Sequence, residues 1–374
     1  MQKIVIIGDT HHNTLSMVRC IGKKHGKVDL ILHGTSDSYV SKSKYIGRIY
    51  YIDSYESLVK LFGRGNDDYK DFIVICCSDA AMQTIDKNLN ALRKDVKFFT
   101  CGAQGGITDL MDKTRQVEIA QRYGLYIPES LTVSDYSQIP GEFNIFPCLI
   151  KPAQSYEGGK KVVVCHNLGD LKESFSQFPD NVELQIQQLI KKSFEIVLPG
   201  ISVNGEVKIP AVVLKHRDSS GATTYSSVIV PDDLISPVIK KCEELIKGIG
   251  YEGLFGFEFI FDGLKYYFIE LNLRNDATCY SVAKAGCDLP NYYIDRVSGE
   301  KASIESLAVD KSMNSMVEFN DFSFVLRRVL SPVRWIKELK HSECLFYYDR
   351  DDKKAFFAAM EYWLKQWSVK KIIK

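Results

Sequence analysis

The sequence lacks the charge imbalance and the long apolar runs that would assign a chain of 374 residues to a class at once. Its 48 Lys and Arg residues balance 47 Asp and Glu residues, so the formal net charge is only +1 and offers no global field for nucleic acid. No apolar run approaches the length of a transmembrane helix, and the amino-terminal residues turn polar too early for a signal peptide. We therefore expect a cytoplasmic protein with no nucleic-acid partner and no transmembrane segment.

Two common motifs are also missing. The ten cysteines include one adjacent pair, Cys76 and Cys77, but no CxxC spacing, so free thiols are expected rather than disulfides or zinc ligands. The turn after the first predicted strand, Gly8 to Asn13, lacks GxGxxG, which argues against a nicotinamide site. The two histidines in that turn are either ligand-binding residues at the end of a strand or ordinary turn residues.

The composition, with 45% hydrophobic and 25% charged residues, is ordinary for a globular protein, and the length predicts two or three structural units. Residues 1–107 alternate short strands with amphipathic helices, the pattern of a small parallel α/β domain. Residues 108–300 predict α+β structure, and residues 301–374 a carboxy-terminal helical extension. The predicted helices in the first two units are residues 13–24, a segment after Asp79, 108–123, 170–177 and 232–247, and the predicted strands are residues 3–7, 28–32, 72–77, 96–99, 148–152, 162–165, 182–190, 195–203 and 207–215.

Two glutamates interrupt apolar runs that read as a buried hairpin, Glu258 within Gly256 to Ile260 and Glu270 within Phe268 to Arg274. A buried carboxylate is costly unless it is paired or holds a metal. Strand side chains alternate faces, so Glu270, Asn272 and Arg274 project from one side as acid, amide and base. This row could bind a hard cation and a phosphate together, or it could be a structural salt bridge.

The hairpin register separates these alternatives in part. A two-residue Asp262-Gly263 loop would place the glutamates on opposite faces, whereas a loop of three or five residues would place them on one face. We predict the longer loop, because two glutamates on one face could share Mg²⁺ with substrate phosphates.

Lysines and a glycine turn precede the hairpin in the chain. Gly158 and Gly159 stand before Lys160 and Lys161 between two predicted strands, without the spacing of a Walker loop. Alone, they indicate an ordinary turn. Together with upstream Lys113 and Lys151, and with the downstream carboxylates, they offer the cations and metal ligands that phosphoryl transfer needs.

The order of these motifs resembles the ATP-grasp superfamily over residues 1–300, and within it the carboxylate-amine ligases related to D-aspartate ligase and carbamoyl-phosphate synthase. The specific elements are Glu258, the run Glu270 to Arg274, and the later stretch Ala283 to Pro290. The resemblance implies a Rossmann-like pre-ATP-grasp domain followed by a two-lobed ATP-grasp domain, whose nucleotide-binding lobe spans about residues 130–192.

The resemblance also implies the role of each matching residue. Glu258, Glu270 and Asn272 would hold Mg²⁺, with Mn²⁺ as an alternative. Arg274, Arg217 and Lys215 would be catalytic and steady the transferred phosphoryl group. The remaining residues would bind ATP: Lys113 and Lys151 its phosphates, the loop at Gly158 and Gly159 the same phosphates on closure, Gln188, Leu189 and Ile190 the adenine, and Glu195 the ribose.

The implied activity is that of an ADP-forming ligase that phosphorylates a carboxylate and joins it to an amine, and the implied partners are small molecules, the amine being that of an amino acid. A thiol or bicarbonate acceptor, and a non-catalytic nucleotide-binding module, remain open alternatives. The segment Lys353 to Lys374 predicts a helix with an aromatic stripe. Such a stripe usually packs on the protein body, and contact with a membrane surface or a partner is the alternative. A homodimer is a separate open possibility.

Overall fold

The computed structural model of the chain describes residues 3–153, 162–180, 182–219 and 221–372, with side chains as far as residue 367. Three β-sheets organise these residues. The predicted combination of an α/β domain with α+β structure is confirmed.

The amino-terminal domain is a parallel sheet of four strands in the order β3-β2-β1-β4. Apolar residues with helical or alternating spacing form its core, as the sequence predicts. The predicted strand over residues 96–99 is wrong, since this segment forms only an isolated β-bridge between Lys97 and Ile73. The strands are β1 Ile4–Asp9, β2 Val28–His33, β3 Ile46–Ile52 and β4 Ile73–Cys76, and the helices are α1 His12–His25, α2 Ser57–Leu61 and α3 Asp79–Lys87.

The single helix predicted over residues 108–123 is wrong. Two helices occupy this region, α4 Gly106–Leu110 and α5 Lys113–Arg122. The chain breaks between them because Asp112 is the N-cap of α5, where its carboxylate accepts hydrogen bonds from the backbone N–H groups of Thr114 (2.8 Å) and Arg115 (3.1 Å). Lys113 is therefore the first residue of a helix rather than one turn inside it.

A small antiparallel sheet follows, in the order β5-β8-β6-β7. One of its faces packs with α6 on a separate core that includes Ile150, Leu171 and Ile186. The predicted glycine loop, with Gly158 and Gly159, lies outside the described residues. The elements are β5 Ser130–Val133, β6 Cys148–Pro152, β7 Val163–Cys165, α6 Leu168–Phe175 and β8 Leu184–Gln188.

The largest sheet has eight strands, seven of them in the order β14-β13-β9-β11-β12-β15-β16, with β10 paired to β9. Asn204 and Gly205 form the hairpin turn between the first two of its strands in chain order, since Val203 pairs with Glu206. The strands are β9 Phe194–Val203, β10 Glu206–Lys208, β11 Val212–Ser219, β12 Ala222–Ile229, β13 Gly253–Phe261, β14 Tyr266–Asn272, β15 Met313–Met316 and β16 Cys344–Leu345, and the helices beside them are α7 Ser236–Gly248, α8 Thr278–Lys284 and α9 Leu289–Val297.

The carboxy-terminal segment contributes β15 and β16 to this sheet and adds three helices, α10 Glu318–Leu326, α11 Pro332–Lys340 and α12 Lys353–Ile372. The inner aromatic residues of α12 pack on α10, where the rings of Phe356 and Trp363 lie 5.6 Å and 6.0 Å from that of Phe319. Within the described part of the chain, no helix is long and apolar enough to cross a membrane.

Candidate functional site

A cleft of about 1040 Å³ opens where the three sheets meet. The amino-terminal domain supplies the ends of β1 and β4, the small sheet supplies β6, and the large sheet supplies the faces of β9, β11, β13 and β14. The polar side chains that line the cleft include Asp9, His11, His12, Asn13, Asp79, Lys113, Lys151, Glu195, Lys215, Glu258, Glu270, Asn272 and Arg274.

The two hairpin glutamates lie on one face, as predicted, because Glu258 pairs directly with Glu270. The predicted loop length is wrong. Phe261 pairs with Tyr266, so residues 262–265 form a loop of even length that alone would separate the glutamates. A β-bulge restores the register, since Phe259 pairs with Phe268 and leaves Ile269 as the extra residue.

Glu258 is held by a lysine that the sequence also singled out. The Lys215 ammonium lies 2.6 Å from one Glu258 carboxylate oxygen and 3.5 Å from Glu195. Burial raises the pKa of Glu258, and the nearby lysine only partly opposes this shift. Burial alone would lower the pKa of Lys215, but its two glutamate neighbours raise it. The pair therefore places a buried positive charge directly behind a cleft-facing carboxylate.

Glu270 differs from Glu258 because its carboxylate has no ion pair or hydrogen bond with any residue that the structure describes. It stands half-buried beside Asn272, whose amide nitrogen lies 3.5 Å from a Glu258 oxygen. Two carboxylates and an amide oxygen form a hard donor set that suits Mg²⁺. No group of three or more His, Cys, Asp or Glu side chains that could hold a metal occurs among the described residues.

Two lysines face this acidic row. Lys151 on β6 donates to the side-chain oxygen of Gln187 at 3.0 Å, and Lys113 begins α5 nearby. Burial, and then the charge of Lys113, lowers the pKa of Lys151 to about 8. Two cations that repel each other in a partly dry site favour binding of an anion between them.

Arg274 connects the acidic row to the amino-terminal domain. Its guanidinium donates to Asp79 at the start of α3 (2.7 Å) and to the side-chain oxygen of Asn272 (3.2 Å). Burial opposes its charge, but the adjacent Asp79 carboxylate outweighs that effect and the net pKa shift is upward. Arg274 is thus a permanent cation at the end of the row.

Solved structures with the same arrangement of sheets identify the fold. No family model matches the chain. N5-carboxyaminoimidazole synthetase from Staphylococcus aureus aligns with a TM-score of 0.69, 16% identity and coverage of 87% of this chain and 85% of that one. The biotin carboxylase β-γ-ATP complex from Campylobacter jejuni aligns with a TM-score of 0.64, 18% identity and coverage of 84% and 75%. Both are ATP-grasp enzymes.

The chain has the ATP-grasp fold. L-amino acid ligase from Bacillus licheniformis shares it too, with a TM-score of 0.63, 14% identity and coverage of 84% of this chain and 79% of that one. The resemblance inferred from the order of motifs is therefore confirmed for the fold.

Two curated proteins show partial sequence similarity. Carbamoyl-phosphate synthase from Methanobrevibacter smithii is 27% identical over 196 residues, and acetyl-CoA carboxylase from Dictyostelium discoideum is 29% identical over 140 residues. These alignments cover 48% and 34% of this chain. The chain spans about half of the first relative, 51%, and only 6% of the second.

In this ATP-grasp cleft, several residues that the sequence did not single out hold the predicted ones in place. Gln116 on α5 donates to the Leu271 carbonyl oxygen (2.9 Å) and accepts from the Leu271 N–H (2.8 Å), between Glu270 and Asn272. Asn275 donates to the side chain of Asn13 (2.6 Å). Sequence gives no signal for such pairs, because each joins positions more than 150 residues apart.

The amino-terminal side of the cleft carries a second polar cluster. Asp9, at the end of β1, accepts hydrogen bonds from the Tyr55 hydroxyl (2.7 Å) and a His33 ring nitrogen (3.0 Å). Burial, followed by repulsion from Arg274, lowers the pKa of His11, and burial lowers that of His12. Both turn histidines line the cleft, and a role for them in ligand binding stays a prediction.

Arg217 does not lie in this cleft. Its guanidinium is bound instead to Asp321 on α10 (2.8 Å) and to Glu338 on α11 (2.7 Å). It also lies over the ring of Tyr225, 4.5 Å from the centroid. Successive β-strand residues face opposite sides, but a bulge at this point in β11 interrupts the alternation that would relate Arg217 to Lys215.

The predicted adenine-reading strand ends in the small sheet, shortly before the chain enters β9 of the large sheet. Gln188 is the last residue of β8, and its N–H donates to the Glu129 carbonyl oxygen at 2.7 Å. The N–H of Leu189 donates to Pro147 at 2.9 Å. Gln188, Leu189 and Ile190 are half-buried and are not among the described residues that line the cleft, so their role in adenine binding stays a prediction.

Proposed function

We propose that the protein is an ADP-forming ligase that uses ATP to activate a carboxylate as an acyl phosphate and then joins it to an amine, such as that of an amino acid. One observation carries the proposal. A row of two carboxylates and an amide lies on one side of the cleft, and two lysine ammonium groups that could bind phosphate lie on the other. Glu258, Glu270 and Asn272 form the row, and Lys113 and Lys151 face it. This arrangement suits a metal-bound triphosphate and is difficult to explain by packing alone.

ATP would lie between the small and large sheets. Lys113 and Lys151 would bind its phosphate oxygens, and the depressed pKa of Lys151 would rise again when an anion neutralises the repulsion between the two lysines. Adenine would reach the backbone of Gln188 to Ile190. Glu195, which pairs with Lys192 at 2.7 Å and lies 3.5 Å from Lys215, would accept hydrogen bonds from the ribose hydroxyls.

Magnesium fits the donor set that the hairpin offers. Glu258, Glu270 and Asn272 would hold it, and the Glu270 carboxylate, which has no ion pair among the described residues, would gain a cation partner. When bound, the metal would offset negative charge on the triphosphate. Mn²⁺ has the same preference for oxygen ligands and is the expected substitute.

Arg274 is placed to act on the reacting groups. Its fixed positive charge stands at the end of the metal row, where it would stabilise charge on the transferred phosphoryl group and then on the acyl phosphate. Lys215 would act by holding Glu258 in its orientation. Arg217, bound to two carboxylates outside the cleft, has no part in this proposal.

The acceptor would enter from the amino-terminal domain. Asp9, His11 and Asp79 line that end of the cleft and could bind an ammonium group or a hydroxyl before it attacks the acyl phosphate.

The decisive experiment is a screen of amino acids and carboxylates for ADP release, with mass spectrometry of the products. We expect one pair to stimulate ADP release and to yield the corresponding amide. Glu270→Gln should reduce turnover about 100-fold or more by weakening the metal site, whereas Glu173→Gln, at an exposed position on α6, should behave as the wild type. The proposal fails if no pair releases ADP and Glu270→Gln binds MgATP as the wild type does.

A second candidate keeps the ATP chemistry and uses bicarbonate as the carboxylate. It is favoured by the comparisons themselves, in which a biotin carboxylase and a carboxyaminoimidazole synthetase share the fold. Stimulation of ADP release by bicarbonate alone, with no amino acid present, would select this candidate over the first.

A further inference from the structure

We propose that α11 and the turn before it dock this protein on an anionic lipid surface. The α11 face consists of four exposed apolar residues with basic residues between them. The apolar residues are Leu326, Val329, Val333 and Ile336, and the basic residues are Arg327, Arg328, Lys337 and Lys340. This inference is independent of the proposed ligase activity.

The spacing places apolar and basic side chains on one side of the helix. Val333, Ile336, Lys337 and Lys340 follow the i, i+3, i+4, i+7 pattern of a single helical face. Val333 is 79% exposed and Ile336 is 47% exposed, while Val329 in the preceding turn is 72% exposed. Large aliphatic side chains are rarely left so open in a cluster unless something covers them.

The opposite side of α11 is fixed to the protein, so the helix cannot rotate to bury these residues. The Trp335 ring packs edge-on against Phe322 of α10 at 4.9 Å. Glu338 forms one ion pair with Arg217 at 2.7 Å and another with Arg334 at 2.8 Å. The exposed apolar residues are therefore a stable property of the folded chain.

Charge identifies the occupant of the α11 face. Residues 326–340 hold five basic residues and one acidic residue, Glu338, in a chain whose total net charge is only +1. Among the described residues, no carboxylate lies within ion-pair distance of Arg328, Lys337 or Lys340. An anionic lipid surface satisfies both components, because the valine and isoleucine side chains enter the apolar boundary while lysine stems extend to the headgroups.

The same charges disfavour the other occupants. A second copy of the chain would bring its own cationic α11 face against this one, and like charges repel. Nucleic acid would match the positive charge, but it would leave Val329 and Val333 in contact with phosphate and water. If an acidic protein were the partner instead, the chain would not bind lipid vesicles.

Co-sedimentation of the full chain with lipid vesicles tests the proposal. We expect binding to vesicles of mixed phosphatidylglycerol and phosphatidylcholine, and much weaker binding to phosphatidylcholine alone or in high salt. The double variant Val333→Glu, Ile336→Glu should abolish binding. The double variant Lys337→Gln, Lys340→Gln should weaken binding to the anionic vesicles about 30-fold, since each lysine near such a surface contributes about a factor of five.

A matched control uses two apolar residues of similar exposure elsewhere. Val230 and Leu234, 55% and 57% exposed, follow β12, and their double substitution by Glu should leave vesicle binding unchanged. Thermal unfolding of each variant checks that it is folded. The proposal is overturned if the wild type binds neither vesicle, if it binds both equally, or if the α11 face instead mediates self-association that Val333→Glu, Ile336→Glu removes in sedimentation without lipid.

Discussion

Single residues in the cleft show how burial and neighbouring charge prepare a site for an anion and a cation. Lys151 has its pKa lowered by burial and by Lys113, whereas Glu258 has its pKa raised by burial despite Lys215. Both shifts work against the charged form of the residue. A metal-bound phosphate between the lysines and the carboxylates would reverse both, because each charge would acquire an opposite partner.

Lys151 makes ATP binding dependent on pH. Its pKa in the free protein is about 8, so the ammonium that binds phosphate is lost as the pH rises through that value. We expect ATP affinity to be about tenfold weaker at pH 9 than at pH 7, since one pH unit above the pKa leaves about a tenth of the lysine charged. Isothermal titration calorimetry at both values measures this.

Two variants test the assignment to that residue. Lys151→Met should bind ATP weakly at both pH values and should flatten the dependence, while Lys172→Met, on the exposed side of α6, should retain the wild-type profile. An unchanged slope in Lys151→Met would mean that another group is responsible.

At the scale of elements, the position of β14 determines the site, and only part of it can be predicted from sequence. Alternation along the strand predicts that Glu270 and Asn272 share a face, and the structure agrees. The bulge at Ile269 could not be predicted from the sequence. It compensates for the even number of residues in the turn, and packing of the hairpin selects the turn length and the bulge together. The break between α4 and α5 was missed for a similar reason. The single helix predicted over residues 108–123 ran through Asp112, whereas in the structure Asp112 is the N-cap that begins α5.

β14 is the edge strand of the large sheet, and on its open side the Gln116 side chain takes the place of a neighbouring strand. This edge strand would otherwise leave the N–H and carbonyl groups of Leu271 unpaired in a buried position, and the Gln116 amide satisfies both. We expect Gln116→Leu to lower the free energy of unfolding by about 1–3 kcal/mol and also to weaken metal-dependent ATP binding by loosening Glu270 and Asn272.

Chemical denaturation and ATP titration together test this role. Gln121→Leu, on the exposed part of the same helix, is the control and should change neither quantity. Loss of stability in Gln116→Leu with unaltered ATP affinity would show that the amide supports α5 but does not position the acidic row.

At the scale of the whole molecule, distant parts of the chain fix the surroundings of the cleft, and this is where sequence reasoning failed for Arg217. The pattern Lys215 to Asp218 contains suitable cations, but nothing local reveals that Asp321 and Glu338, more than 100 residues later, take the guanidinium. The carboxy-terminal segment also returns to the amino-terminal domain, where Lys23 on α1 pairs with Asp349 at 2.6 Å.

Arg19 and Asp352 form the most buried of these long-range links. Their side chains are 0% and 1% exposed and 2.9 Å apart, and the guanidinium also donates to the Phe346 carbonyl oxygen at 3.0 Å. Asp352→Asn keeps the shape of the side chain but leaves a buried arginine without its counter-charge, so we expect a loss of about 3–5 kcal/mol. Glu361→Gln, which removes an exposed ion pair with Lys365 on α12, should have no measurable effect. Equal denaturation midpoints for Asp352→Asn and the wild type would show that this link contributes nothing to holding the carboxy-terminal segment on α1, whose first residues line the cleft.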